Sequence, residues 1–162
     1  MKNSLVTKLC VGTALILLTS SFANAQRTFP YRITGSFAGI QLASLSPTQS
    51  QQVPTLLTIS RGGNNLRFVS TQLINGQNVT TQTVLRANGT ADVYTSVDGV
   101  VVQSGTGRFS RRGRTLNANF GVENGNTGPF ALNQRFTLRG SRVAFLETSP
   151  TLGTTSYLLG NR

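Results

Sequence analysis

Beyond its first 25 residues the chain offers thirteen arginines and four carboxylates, Asp92, Asp98, Glu123 and Glu147, as its ionic chemistry. It has no histidine and no tryptophan, and its one cysteine (Cys10), its one methionine and both lysines (Lys2, Lys8) fall within those 25 residues. An imidazole base, a thiolate or amine nucleophile and a Cys/His metal site are therefore excluded from the rest of the chain. No catalytic residue, cofactor or metal is assigned on this basis, and the four acids lack the spacing of a calcium loop. Arginine remains as the main chemical resource: its planar, weakly hydrated fork bonds phosphates and carboxylates in pairs. Arg61, Arg111, Arg112, Arg114, Arg139 and Arg142 stand at turn signals and form the candidate set for an anionic partner. Glu147 is the candidate cavity carboxylate, because alternation through Val143 and Phe145 points it inward with them. Burial there would shift its pKa; the competing reading is a solvated carboxylate at a strand end.

Gly105-Thr106-Gly107 has the look of a phosphate loop, but no helical pattern follows it. A close strand approach or a bulge is the better reading. Nucleic acid is not expected as a partner. The aromatic residues follow the apolar strand pattern and do not sit beside the arginines as stacking platforms.

The elements that must position these residues are strands. After residue 25 no apolar spacing has the helical period, whereas two-residue alternation and turn dipeptides recur. Leu116, Ala118, Phe120 and Val122 mark one strand; Phe130, Leu132, Gln134, Phe136 and Leu138 mark another. Asn75-Gly76, Asn88-Gly89 and Asp98-Gly99 predict type I′ hairpin turns. About ten strands result: 29–37 running on or bulging into 38–45, then 54–60, 65–74, 77–86, 90–97, 100–109, 114–123, 129–138, 142–148 and 154–160. Ser46 to Gln52 reads as a longer polar loop. The fold class is all-β, a single antiparallel meander closed into an up-and-down barrel of about 8–10 strands. A β-sandwich is the rival; it would need a long crossover, for which only 46–52 and 123–128 could serve.

Successive turns of a meander lie at alternate ends. The even-numbered turns, near 61–65, 86–89, 110–114 and 139–142, then carry the arginines to one end, together with Arg27, Arg32 and Arg162. Twelve of the thirteen fall there and only Arg135 is mid-strand, while Asp98, Glu123 and Glu147 lie toward the other end. Asp92 breaks the pattern. Losing one strand from the count would scatter the set, and the competing reading makes the arginines solvated edge protectors.

Residues 1–25 read as a cleaved signal peptide. Lys2 and Lys8 precede an apolar run from Leu9 to Leu18, and Ala23-Asn24-Ala25 supplies the small residues of a cleavage site. The run is about ten residues, short of the ~20 that span a bilayer. Residues 26–162 are expected to form one exported domain, in a bacterial periplasm or outside the cell, with no need of disulfides.

Several stretches resemble lipocalin-like proteins of the calycin type. Gly35-Ser36-Phe37 is similar to the Gly-x-Trp that opens that fold, with Phe in place of Trp. Gly89, Gly99, Gly105, Gly107, Phe109 and Leu116 resemble its middle hairpins, and Phe136, Val143, Phe145 and Tyr157 to Arg162 its closing strands. The resemblance implies a barrel with a cup-shaped cavity for a small apolar or amphipathic ligand.

The expected function is non-enzymatic binding. The protein would carry such a ligand, or dock through an arginine rim to anionic lipid, lipopolysaccharide or acidic polysaccharide. The alternatives are a structural or adhesive envelope protein without a cavity, then a cofactor-free enzyme resting on a carboxylate or tyrosine. A small outer-membrane barrel is disfavoured by its scarce aromatics and polar strand faces.

Overall fold

The computed structural model describes residues 34–46, 49–124 and 128–162; the expected leader, Arg27 and Arg32 lie outside the described residues. Ten strands follow in chain order: β1 (Gly35–Ser46), β2 (Gln49–Gly62), β3 (Asn65–Ile74), β4 (Gln77–Arg86), β5 (Thr90–Val97), β6 (Val100–Arg112), β7 (Thr115–Asn124), β8 (Phe130–Arg139), β9 (Arg142–Ser149) and β10 (Thr154–Asn161). Each pairs antiparallel with its successor, and β10 closes on β1, so the sheet has no free edge. The up-and-down barrel forms; the sandwich does not.

Turn chemistry fixes the register of the hairpins. Asn75 and Gly76 have φ of 52° and 79°, and Asp98 and Gly99 have 49° and 84°, the paired positive values of a type I′ turn. The Asp98 carboxylate also accepts the Asn78 amide at 2.8 Å, tying two neighbouring strand ends together. Asn88-Gly89 departs from the expected type I′. Only Gly89 has positive φ, its amide donates to the Arg86 carbonyl, and the loop is the three-residue Ala87–Gly89. The Asn88 side chain explains the difference: its Oδ1 accepts from both the Thr90 amide and hydroxyl, stabilising the longer turn. The polar loop expected from Ser46 to Gln52 is also shorter than predicted. β2 already begins at Gln49, because Ser50, Gln51 and Gln52 pair with Ser44, Ala43 and Leu42 of β1.

The lumen is divided. Toward the β2–β3, β4–β5, β6–β7 and β8–β9 turns it is filled by apolar side chains, among them Leu57, Ile59, Leu66, Leu85, Leu116, Leu138 and Val143, all buried. Near the middle, three rings cross it. Phe68 of β3 stacks on Phe136 of β8, diametrically opposite in the ten-strand ring, with centroids 3.9 Å apart, and Phe136 stacks on Phe145 at 4.8 Å. This stack plugs the barrel.

At Gly105 and Gly107 the backbone of β6 lies close against that of β7. A Cβ on Gly105 would come within 2.7 Å of the Gly121 carbonyl oxygen, and one on Gly107 would overlap the Asn119 carbonyl oxygen. The Gly105-Thr106-Gly107 signal thus marks a close strand approach, and the β5–β6 register slips nearby, between Thr95 and Ser96. Gly107→Ala is expected to destabilise the barrel by about 1–3 kcal/mol, since a backbone carbonyl must yield. Gly121→Ala, whose Cβ would meet nothing within 4 Å, is expected to change the denaturation midpoint little. Urea unfolding of the two variants measures the contrast.

Candidate functional site

Strand parity places the arginines. With ten strands joined by hairpins, the turns after β2, β4, β6 and β8, the start of β1 and the end of β10 share one pole. Arg61, Arg86, Arg111, Arg112, Arg114, Arg139, Arg142 and Arg162 lie at that pole, and Arg67 and Arg108 lie near the same ends of β3 and β6. Ten of the eleven described arginines therefore gather there, and the exception is Arg135, halfway along β8, whose Nε donates to Asn117 Oδ1 at 3.0 Å. All six residues singled out from the sequence are brought to this rim, and all six are exposed.

Asp92, the acid that broke the pattern, is buried beneath the rim and ion-paired with Arg86. It tethers one guanidinium and neutralises little of the rest. Other local contacts hold the rim in place. Arg111 Nε donates to the Gly113 carbonyl at 2.9 Å across its own turn, and Arg162 Nη2 donates to the Thr34 carbonyl, linking the last strand to the start of the first. Arg139 and Arg142 are direct cross-strand partners flanking the two-residue turn Gly140–Ser141. Like charges placed so are mutually destabilising unless an anion lies between them.

The opposite pole carries the other three acids: exposed Asp98 and Glu123, and Glu147 inside the lumen. Glu147 faces Gln134 across β8–β9 and Ser156 across β9–β10. Gln134 Nε2 donates to Glu147 Oε2 at 2.7 Å, and Thr83 Oγ1, from the far side of the barrel, donates to Gln134 Oε1 at 2.6 Å. Close by, Gln72 Nε2 donates to Gln41 Oε1 and Thr55 Oγ1, and Gln41 Nε2 donates to Ser156 Oγ. These bonds satisfy polar groups that the closed lumen removes from water. Among the described residues no arginine is ion-paired with Glu147. Burial raises its pKa above the ordinary glutamate value, and the Gln134 hydrogen bond offsets this only in part.

This shift has a definite sign in stability. Between the ordinary glutamate pKa and the raised one, the folded barrel holds a proton that the unfolded chain has lost. Stability should therefore fall as pH rises through that window. Glu147→Gln keeps an acceptor for Gln134 and removes the ionisation. It is expected to raise stability at neutral pH and to flatten the profile there, as read by thermal unfolding from acid to neutral pH.

Among the described residues, the clefts on the outer wall include three lined by side chains of β5 to β10. The largest of them, about 390 Å³, runs from Arg139 and Arg142 over Thr137 and Ala144 to Tyr157 and Leu159. A second, about 330 Å³, lies over β7–β9 and is lined by Asn117, Asn119, Asn133, Arg135, Leu146 and Thr148 together with Gln134; a third, about 290 Å³, lies over β5–β7. The first was not foreseen from the sequence. Its signal was legible in the closing strands, where Tyr157 and Leu159 fall on the face opposite to buried Ser156, Leu158 and Gly160.

No protein-family model matches the chain, and no curated protein matches it. Among solved structures it is similar to the crystal structure of Rv2717c from M. tuberculosis, with a TM-score of 0.56 at 15% sequence identity, over 82% of this chain and 94% of that one. A likeness at this identity speaks for the barrel fold alone.

Proposed function

We propose that this is a non-enzymatic binding protein that docks through its arginine pole to an anionic surface, such as lipid headgroups, lipopolysaccharide or acidic polysaccharide. One observation carries the reading: ten of the eleven described arginines share a pole where, among the described residues, the one side-chain carboxylate, Asp92, is already paired with Arg86. A rim of one sign attracts polyanions at a distance and orients the molecule as it arrives. The predicted leader would deliver the protein to a compartment where such surfaces abound. The ring stack that plugs the lumen favours the outside of the barrel over cargo within it. The polar outward faces of β4 and β7, with Thr80, Gln82, Asn117 and Asn119, speak against an integral outer-membrane barrel.

Sedimentation with anionic and with neutral vesicles, and with beads bearing acidic polysaccharide, tests the proposal. Binding to the anionic surfaces at low ionic strength, weakening as salt shortens the screening length to about 10 Å at 0.1 M, is expected. Equal binding to neutral vesicles, or no binding to any of these surfaces, would contradict it.

A further inference from the structure

The outer wall of the barrel is not uniformly polar. On β10, β1 and β2, the side chains that point away from the lumen include Tyr157, Leu159, Ile40, Leu42 and Leu56, each 40–54% exposed. They are lateral neighbours: Ile40 lies opposite Leu159 on one side and Pro54 on the other, Leu42 lies opposite Tyr157, and Ala38 opposite Leu56. Ala144 and Leu146 of β9 extend the same rows beside Leu159 and Tyr157. In β1 the usual pattern is inverted. Gln41 points inward and is buried, while Ile40 and Leu42 point outward. A contiguous apolar face of this kind marks an interaction surface.

Charge identifies its occupant. The described outward acids, Asp92, Asp98 and Glu123, belong to β5, the β5–β6 turn and β7, on the far side of the barrel; Glu147 of β9 points into the lumen. The apolar face is bordered toward the pole by Arg139 and Arg142 on one flank and by Arg67 on the other. A second copy of the chain would bring arginines against arginines with no acid on either face to receive them. An anionic bilayer meets both requirements, since its phosphates can pair with the bordering arginines while its headgroup–acyl boundary accepts the apolar side chains.

We infer that the wall formed by β9, β10, β1 and β2 is a bilayer-docking face. The barrel lies tilted, with Ile40, Leu42, Leu56, Tyr157 and Leu159 in the interfacial layer and Arg139, Arg142 and Arg67 on lipid phosphates. This inference rests on the arginine-pole reading and narrows its partner to anionic lipid. It also breaks the equivalence of the rim, because Arg111 and Arg112 sit at the β6–β7 turn, across the barrel from the docking face.

Tryptophan is absent from the chain, so a single introduced indole is a clean reporter. Leu159→Trp and Tyr94→Trp place it on the docking face and on β5, at exposed positions. With vesicles of phosphatidylglycerol and phosphatidylcholine brominated along the acyl chains, the Leu159→Trp indole is expected to be quenched and the Tyr94→Trp indole spared. Ile40→Ser/Leu159→Ser should weaken vesicle binding roughly tenfold or more while leaving binding to acidic polysaccharide unchanged. Arg139→Gln/Arg142→Gln should weaken vesicle binding more than Arg111→Gln/Arg112→Gln. Vesicle binding with equal quenching of both indoles, or with equal loss from the two arginine pairs, would overturn the docking face and leave the pole reading intact. So would an indole in the Leu159→Trp variant that is shielded from aqueous iodide without lipid, because another segment or a second copy would then cover the wall. Failure to bind both vesicles and polysaccharide would remove the pole reading as well.

Discussion

Arg139→Gln/Arg142→Gln is expected to weaken binding to anionic vesicles about 30-fold at low ionic strength, on the order of 1 kcal/mol for each guanidinium near an anionic leaflet. The pair sits directly across the β8–β9 ladder at a tight turn, so neither charge can move far from the other. Without an anion they repel; with a phosphate between them that repulsion becomes shared attraction. Glutamine retains most of the side chain's length and polarity at these exposed sites, so the barrel itself should not weaken. Thermal unfolding of the free variant is accordingly expected to match wild type or to rise slightly, while vesicle flotation reports the lost affinity. A variant that binds as tightly as wild type would remove this pair from the docking surface.

Phe136→Ala should destabilise the barrel by about 3–5 kcal/mol, the loss expected for a buried aromatic whose site cannot collapse. Phe136 is 1% exposed and is the middle ring of the stack that joins β3, β8 and β9 across the lumen. Its removal separates Phe68 from Phe145 and opens a void that closed, hydrogen-bonded walls cannot fill by moving inward. Against a total stability of roughly 5–15 kcal/mol, this would lower the unfolding midpoint by roughly 10–20 °C. Phe136→Leu, which fills part of the volume, should recover a good part of the loss. A change of less than about 1 kcal/mol in urea unfolding would mean that the rings do not form the plug described.

Most of the fold was legible because its signals are local. Asn75-Gly76 and Asp98-Gly99 each name their turn, and alternation from Leu116 to Val122 and from Phe130 to Leu138 gives the inward face directly. Parity then carried Arg61, Arg111, Arg112, Arg114, Arg139 and Arg142 to one pole, although no two of these turns are neighbours in sequence. The ambiguity near residues 37 and 38 has a physical cause. Phe37 points inward and Ile40 and Leu42 outward, so the apolar phase changes within one regular strand and imitates a bulge. That inversion is itself the trace of the docking face. Gln134 showed as a polar residue within an apolar stripe, but its partner Thr83 lies 51 positions away on the opposite wall, beyond the reach of any local pattern. The early start of β2 was hidden for a related reason: Gln51 and Gln52 look like loop residues, yet at the mouth of a barrel a strand can continue on backbone pairing alone.

Where the positive charge sits is separable from how much of it there is. Two double variants lower the net charge equally: Arg139→Gln/Arg142→Gln at the arginine pole, and Gln77→Glu/Val100→Glu at the exposed first residues of β4 and β6, at the opposite pole. Affinity for phosphatidylglycerol vesicles, measured side by side at one ionic strength, should fall at least tenfold for the first pair and less than about threefold for the second, whose charges lie at the far pole on β4 and β6, outside the docking wall, where screening weakens their reach. Equal losses would show that the vesicles respond to net charge alone and that the gathering of guanidinium groups at one pole has no part in binding.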